Sequence, residues 1–267
     1  KLYLDDIESV RVGLSKPNAA APAGFGLKPD ELTDEKLDEL AARVESAYKN
    51  LKITLSLEES ANDCDYYIES MAEIPEDKHV FYRNLNEVLE DKTIVMTNSS
   101  TLLPSTFKVD FTKPERYLAL HFANNIWRSN SAEVMGHDGT SQAAYDEAVE
   151  FAKALHMVPI KVLKEQPGYL LNSMLVPFLN SAQYLLANGI GDHENIDMAW
   201  KIGTGAPYGP FQILDIVGLT TAYNIVANHP EANDPTTNAG KIAAMLKKYI
   251  DAGKTGVNAG EGFYKYR

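Results

Sequence analysis

The sequence contains a single cysteine, Cys64, among 267 residues. One thiol excludes a disulfide within the chain and any zinc site built from several cysteines, and it favours a reducing compartment such as the cytoplasm. No apolar run approaches the roughly 20 residues that cross a bilayer. The first ten residues, KLYLDDIESV, lack the apolar core of a secretory signal. We therefore expect a cytoplasmic protein without a membrane partner.

Positive charge is scarce as well. The chain carries 25 Lys and Arg residues against 37 Asp and Glu residues, which gives a formal net charge of −12, and it has no basic stripe. Because nucleic-acid binding requires clustered cations against the phosphates, this balance argues against such a partner. A small anionic molecule held in a local basic pocket is compatible with it.

A glycine-rich dinucleotide turn is also missing. Such a turn lies between a strand and a helix and places a pyrophosphate against backbone amides. The segment AGFGLKP, residues 23–29, has two glycines two residues apart but no strand before it and no helix directly after it. We therefore do not interpret it as a dinucleotide-binding turn.

Helix and strand patterns alternate over the first 166 residues. Thr33 caps a helix whose apolar face comprises Leu37, Leu40, Ala41, Val44 and Tyr48. Patterns typical of strands are LKITLS (51–56), DYYIESM (65–71), KTIVMTNSS (92–100), RYLALHF (116–122), SAEVMGH (131–137) and VPIKVLK (158–164). Strands that alternate with helices predict an α/β fold with an open, mostly parallel sheet.

The pattern changes near residue 168. Beyond it the sequence consists of long segments with helical apolar periodicity and no convincing strand. A Gln-Pro-Gly sequence at 166–168 predicts a boundary there. We expect an α/β domain over residues 1–166, incomplete at its N-terminus, and an all-helical domain over residues 167–267.

Four polar residues stand where apolar elements begin or end. Ser100 follows one strand, His121 closes another, Glu133 lies within a short strand, and Asn172 opens the first helix of the second domain. In open parallel sheets, ligands bind at the carboxyl ends of the strands, so the first three side chains are expected to converge there, and Asn172 could close over them from the second domain. A histidine can move a proton near neutral pH, and a carboxylate fixes its tautomer. A serine and an amide can hold a substrate oxygen.

Each of these residues also has a structural explanation. The histidine could be a satisfied strand-end residue, and Glu133 could be a solvated surface residue. Turn chemistry explains the polar cluster around Ser100, and Asn172 could cap a helix. The residues alone leave both interpretations open.

Several motifs in one order resemble the 3-hydroxyacyl-CoA dehydrogenase family. TNSSTL is similar to its Ser-Asn-Thr-Ser-Ser-Leu segment, LHFANN to its Leu-His-Phe-Phe-Asn-Pro signature, and PGYLLNSMLVPFLNSA to its Pro-Gly-Phe-Ile-Val-Asn-Arg-Leu segment. The separation of 12 residues between His121 and Glu133 matches the family, and so do GTGAPYGPFQILDIVGL and the closing GEGFYKY. The resemblance runs from about Leu51 to the C-terminus.

The resemblance implies hydride transfer between NAD and the 3-hydroxyl of an acyl-CoA. It implies that His121 is the general base, that Glu133 orients it, and that Ser100 and Asn172 hold the substrate oxygens. It also implies a homodimer formed through the helical domain. The residues that it places beside NAD are Glu73, Lys78, Asn98 and Asn124.

Two departures from the family leave alternatives open. The strand, glycine turn and second strand that open the family are missing before Lys1. We favour the explanation that the chain is a piece of a longer protein. The alternative is a non-catalytic, dimerising relative that has lost cofactor binding. After His121 the sequence continues NIWRSNS, and Arg128 there could receive a free carboxylate. This leaves a dehydrogenase of a free 3-hydroxy acid, such as a sugar acid, as an alternative.

Overall fold

The computed structural model describes residues 2–14, 32–124, 126 and 129–266. Contacts between backbone positions divide the chain into two units, Lys1–Leu170 and Leu171–Arg267. The predicted domain bounds, 1–166 and 167–267, stay a prediction. Arg128, a predicted substrate-binding residue, and its neighbour Trp127 lie outside the described residues.

The first unit contains a five-stranded sheet whose strands follow one another in chain order. The strands are β1 (Tyr66–Glu69), β2 (Ile94–Thr97), β3 (Tyr117–Phe122), β4 (Ser131–Met135) and β5 (Val158–Val162). The β3–β4 pairing is antiparallel, and the other three pairings are parallel. The predicted α/β class with a mostly parallel, Rossmann-like sheet is therefore confirmed.

Helices begin where the sequence places capping residues or prolines. The Thr33 side chain accepts a hydrogen bond from the backbone N–H of Lys36 at 3.2 Å, and Pro75 stands at the start of another helix. The helices of the described part of the first unit are α1 (Leu2–Leu14), α2 (Asp34–Asn50), α3 (Leu57–Ala61), α4 (Pro75–Val88), α5 (Pro104–Phe107) and α6 (Gln142–Ala154).

Alternate residues of the central strands enter different hydrophobic layers. Leu118 and Leu120 of β3 join a cluster with Ala148 of α6, whereas Tyr117 joins a cluster with Tyr82 of α4. Successive side chains of a strand point to opposite faces, so this alternation covers the sheet on both sides. His121 shares the face of Tyr117 by the same period of two.

Two local predictions were wrong. The segment 51–56 is not a strand in the structure, and its apolar residues Leu51, Ile53 and Leu55 are exposed. An alternating pattern makes a strand only when a partner strand accepts its hydrogen bonds, and the described sheet pairs β1 with β2 alone. Tyr48 is also exposed, at 80%, because the apolar face of α2 that packs with α1 ends before it; Leu37 is fully buried.

The described part of the second unit is helical, as predicted. Its helices are α7 (Leu171–Ala187), α8 (His193–Thr204), α9 (Pro210–Val217), α10 (Leu219–Ala227) and α11 (Asn238–Asp251). Phe211, Leu214 and Leu246 are buried at the centre of its core. Across the residues that the structure describes, no helix combines the length and the apolar character that a membrane crossing needs.

A buried carboxylate in α9 fixes the closing segment of the chain. Asp215 is 1% exposed, and one of its oxygens accepts a hydrogen bond from the backbone N–H of Phe263 at 2.8 Å. The other oxygen accepts from the N–H of Tyr264 and from the hydroxyl of Tyr266, both at 2.9 Å. A Cβ at Gly262 would lie 2.0 Å from the first oxygen, so only glycine fits there. The GEGFYKY motif therefore supplies the hydrogen-bond donors that the Asp215 carboxylate accepts from, and the glycine that lets the chain approach it.

We expect Asp215→Asn to lower the free energy of unfolding of the second unit by about 3 kcal/mol, because the amide nitrogen cannot accept two of these bonds and leaves buried donors unpaired. Urea unfolding followed by circular dichroism measures the change. Asp251→Asn is the matched control, since Asp251 pairs with Lys247 at the exposed end of α11, and it should change the value by less than about 0.5 kcal/mol. Equal effects of both variants would contradict the assignment.

Candidate active site

The strand arrangement brings the predicted catalytic histidine and glutamate side by side. His121 is the fifth residue of β3, and Glu133 is the third residue of β4. The two are direct partners in the antiparallel register, so their side chains leave the sheet on the same face. The 12-residue separation in sequence includes the end of β3, the connection and the start of β4.

The imidazole of His121 lies between two polar groups. Its Nδ1 is 3.2 Å from Oε2 of Glu133, and its Nε2 is 3.3 Å from the hydroxyl oxygen of Ser100. Since a carboxylate only accepts hydrogen bonds, the Nδ1–H donates to Glu133 and leaves the Nε2 lone pair toward Ser100. The side chains of His121 and Glu133 are 7% and 4% exposed, which keeps water from competing for these bonds.

This geometry suits proton transfer to a histidine base. The Nε2 lone pair can take a proton from a hydroxyl placed beside Ser100, and Glu133 would stabilise the imidazolium that results. The other oxygen of Glu133 accepts a hydrogen bond from the backbone N–H of Leu170 at 2.9 Å. Both carboxylate oxygens of Glu133 therefore accept a hydrogen bond. The register of β3 and β4 fixes the orientation of the imidazole.

Ser100 belongs to a loop, residues 98–103, that follows β2. Asn98 joins this loop to β3, because its side-chain oxygen accepts from the backbone N–H of Phe122 at 3.0 Å. The hydroxyls of Ser99 and Thr101 donate to the Glu73 carboxylate at 2.6 and 3.1 Å. Two residues predicted to contact NAD, Asn98 and Glu73, therefore also hold the serine loop in place.

The other predicted residues are placed differently. Asn124 is exposed, two residues beyond the end of β3. Asn172 is the second residue of α7 and belongs to the second unit, so its approach to His121 stays a prediction. Lys78 is completely buried, and its ammonium donates to Glu69 at 2.6 Å and lies 3.8 Å from Glu73. Its contact with NAD stays a prediction as well.

A second buried carboxylate, Glu69 at the end of β1, was not singled out from the sequence. It accepts hydrogen bonds from Lys78, from the hydroxyls of Tyr82 and Thr97, and from the backbone N–H of Met71. Burial raises the pKa of the Glu69 carboxyl, but these hydrogen bonds outweigh burial and hold the pKa below its ordinary value. The carboxylate therefore stays charged and ties β1, α4 and β2 together beneath the serine loop.

Tyr169 was also missed by the sequence analysis. Its ring is stacked on His121, and its hydroxyl donates to the backbone carbonyl of Ser99 at 2.7 Å. A sequence signal could have found Glu69, which is an acid that ends a strand and has Lys78 nine positions later. The contact between Tyr169 and Ser99 spans 70 residues, and no short motif encodes it.

Comparison with known proteins gives matches over both units. The family model of the 3-hydroxyacyl-CoA dehydrogenase NAD-binding domain matches residues 27–166, and the model of the 3-hydroxyacyl-CoA dehydrogenase C-terminal domain matches residues 168–266. The match of the first model indicates that the cofactor is NAD, as predicted.

Individual relatives agree with these matches. The chain is 32% identical over 238 residues to the mitochondrial hydroxyacyl-coenzyme A dehydrogenase of Homo sapiens, which covers 89% of this chain and 72% of that protein. It is 31% identical over 226 residues to a probable 3-hydroxyacyl-CoA dehydrogenase of Caenorhabditis elegans, with coverage of 85% and 72%. The solved structure of a diketoreductase, described as a catalyst acting on dicarbonyl compounds, is 41% identical and superimposes with a TM-score of 0.78 over 98% of this chain and 85% of that one.

We expect Glu69→Gln to destabilise the first unit at neutral pH, because Lys78 then lacks its buried counter-charge. The folded-state pKa of Glu69 lies below the ordinary glutamate value of 4.5, so the stability that its charge contributes is present above pH 4.5 and is lost as pH falls through the folded-state pKa. Urea midpoints of wild type and variant should therefore differ most above pH 5 and converge toward acid.

The double variant Glu69→Gln, Lys78→Met is the control for this measurement. It removes both charges and keeps similar volume, so it should recover much of the stability lost in the single variant. A pH-independent difference between wild type and Glu69→Gln would count against a charged carboxylate at this position.

Proposed function

The chain belongs to the 3-hydroxyacyl-CoA dehydrogenase family, and from this premise we propose that it oxidises a 3-hydroxyacyl-CoA reversibly to the 3-ketoacyl-CoA, with NAD as the hydride acceptor. The observation that carries the proposal is the register pair of His121 and Glu133 with Ser100 at the other imidazole nitrogen. A base with an orienting carboxylate at one ring nitrogen and a hydroxyl at the other is well suited to take the proton of an alcohol.

The residues at the carboxyl ends of the parallel strands fit the hydride-transferring end of NAD. Asn98, Ser100 and His121 offer an amide, a hydroxyl and a base beside one another at the ends of β2 and β3. Glu73, with a side chain 40% exposed, would hold the neighbouring part of the cofactor. The described residues include no glycine-rich turn for the pyrophosphate. When bound, NAD supplies the nicotinamide carbon that takes the hydride.

In the proposed reaction, the protein moves one proton. Nε2 of His121 takes the proton of the substrate 3-hydroxyl as the carbon–hydrogen bond at carbon 3 breaks, and the imidazolium forms with its Nδ1–H directed at Glu133. In the reverse direction, the same Nε2–H returns the proton to the ketone oxygen. The hydrogen bond between Nδ1 and Oε2 of Glu133 would stabilise the charged ring in both directions.

Ser100 and Asn172 have the binding roles in this proposal. The Ser100 hydroxyl would donate to the substrate oxygen whose charge changes during the reaction. Asn172, at the start of α7, would hold the acyl carbonyl. Glu73, through its bonds to Ser99 and Thr101, would keep the serine hydroxyl at its position.

A second candidate is a dehydrogenase that acts on a substrate without CoA. The 41% identity to a diketoreductase supports it, because that protein is described as acting on dicarbonyl compounds. A free 3-hydroxy acid, such as a sugar acid, is the other form of this candidate, and Arg128 would then receive its carboxylate. The base, the orienting acid and the hydride step are the same in both candidates, so the substrate assay decides between them.

We expect the wild-type protein to oxidise NADH with acetoacetyl-CoA as the substrate. His121→Gln should lower kcat by about 10²- to 10⁴-fold, because the general base is lost. Glu133→Gln should lower it less, because the base remains but its tautomer is no longer fixed. NADH absorbance measures each rate. The matched control is Glu150→Gln, a surface substitution on α6, which should leave the rate unchanged.

The substrate comparison uses the same assay. Turnover of a free dicarbonyl compound or of a free 3-hydroxy acid, without turnover of acetoacetyl-CoA, would favour the second candidate. Calorimetry with NADH on this chain comes first, because absence of NADH binding and of all turnover would favour a non-catalytic relative instead.

We also propose that the protein is a homodimer that associates through the helical unit. This unit exposes large apolar side chains that a single layer of helices leaves uncovered; they include Met174, Ile190, Met198, Ile202 and Ile225. Light scattering at micromolar concentration should give a mass near twice the 29.5 kDa of one chain. A mass of one chain would contradict the proposal.

A further inference from the structure

A buried tyrosine lies flat against the candidate catalytic base. The rings of Tyr169 and His121 are 4.5 Å apart between centroids, with an angle of 14° between their planes. Tyr169 is 1% exposed and packs among Ala119, Met135 and Val162. The stack covers one face of the imidazole and leaves its two nitrogens, which lie in the ring plane, directed at Glu133 and Ser100.

The tyrosine hydroxyl is fixed at its far end. It donates to the backbone carbonyl of Ser99 at 2.7 Å, one residue before the serine that faces Nε2 of His121. Burial, together with the nearby carboxylates of Glu133, Glu73 and Glu165, raises the pKa of the hydroxyl, so it stays protonated and keeps donating. The ring therefore cannot slide along the imidazole without breaking this bond.

The backbone around Tyr169 is held in an uncommon conformation. Gly168 and Tyr169 both have positive φ, 77° and 54°, a region that is unfavourable for a residue other than glycine. This turn places the N–H of Leu170 at 2.9 Å from Glu133. Tyr169 therefore contacts His121 through its ring, and Leu170 contacts Glu133 through its backbone N–H.

We propose that Tyr169 is a positioning residue for His121, which holds the imidazole in its catalytic plane and stabilises its protonated form across the stacked rings. The proposal rests on the proposed function only for its use in catalysis. An aromatic face carries negative charge density, so a cation against it in a dry site is stabilised. The imidazolium that forms during hydroxyl oxidation would be such a cation.

Two consequences can be measured on His121 itself. Removal of the aromatic ring should lower the pKa of His121 by about one unit, because the stacked cation loses a contact in a desolvated site. It should also let the imidazole rotate, so that the neutral ring populates both tautomers. Tyr169→Phe loses the hydroxyl bond but keeps the ring, which its hydrophobic neighbours still pack against the imidazole, so it should keep both properties close to wild type. Tyr169→Leu should change both.

Nuclear magnetic resonance of protein with isotope-labelled histidine tests this across a pH titration. The nitrogen chemical shifts report the pKa and the tautomer, and His121→Gln identifies the signal among the six histidines. Circular dichroism verifies that each variant is folded. If Tyr169→Leu does not fold, Tyr169→Met carries the same expectation, since its flexible chain fills irregular space.

The outcomes separate the two proposals. A lower pKa and mixed tautomers in Tyr169→Leu, with Tyr169→Phe near wild type, support the positioning role. An unchanged or raised His121 pKa with a single tautomer in Tyr169→Leu would overturn it and leave Tyr169 as a packing residue. The titration needs no substrate. If wild type turned over none of the tested substrates, the proposed function would fail, and the titration would still decide the role of Tyr169.

Discussion

The antiparallel pairing of β3 with β4 determines the rest of the site. It sets His121 opposite Glu133, and the side-chain period of two sends both toward the face on which the serine loop and Tyr169 lie. A slip of one residue in this register would send the two side chains to opposite faces. The buried hydrophobic residues Leu118 and Leu120 on the other face make such a slip costly, so packing energy holds the catalytic geometry.

Two buried carboxylates support neighbouring parts of this geometry in different ways. Glu69 is surrounded by donors, one of them a lysine ammonium, and its role is to join strands and a helix. Glu133 faces an imidazole that changes charge during the proposed reaction, and its second oxygen is directed by a backbone amide. The first arrangement favours an ion pair that joins elements of the fold, whereas the second leaves Nε2 of the imidazole able to exchange a proton with a substrate.

The sequence was sufficient for features that depend on near neighbours. The cap at Thr33, the mostly parallel sheet and the helical second unit all follow from local periodicity and capping chemistry. The His121–Glu133 pair was accessible through its motif, because the separation of 12 residues matches the family. The antiparallel pairing that makes the two residues direct partners was not predicted. Segment 51–56 and Tyr48 were misassigned because a pattern does not say whether a partner exists. Glu69 and Tyr169 escaped notice because their contacts are set by tertiary packing across long separations.

The burial of Lys78 has a chemical consequence for a protein that would work on thioesters. Activated acyl groups transfer to amines that are exposed and carry a free lone pair. The Lys78 side chain has no exposed surface, and its ammonium is bonded to Glu69 at 2.6 Å. An amine held in this way is protected from acylation, so Lys78 would remain unmodified and paired with Glu69 even beside an activated acyl group.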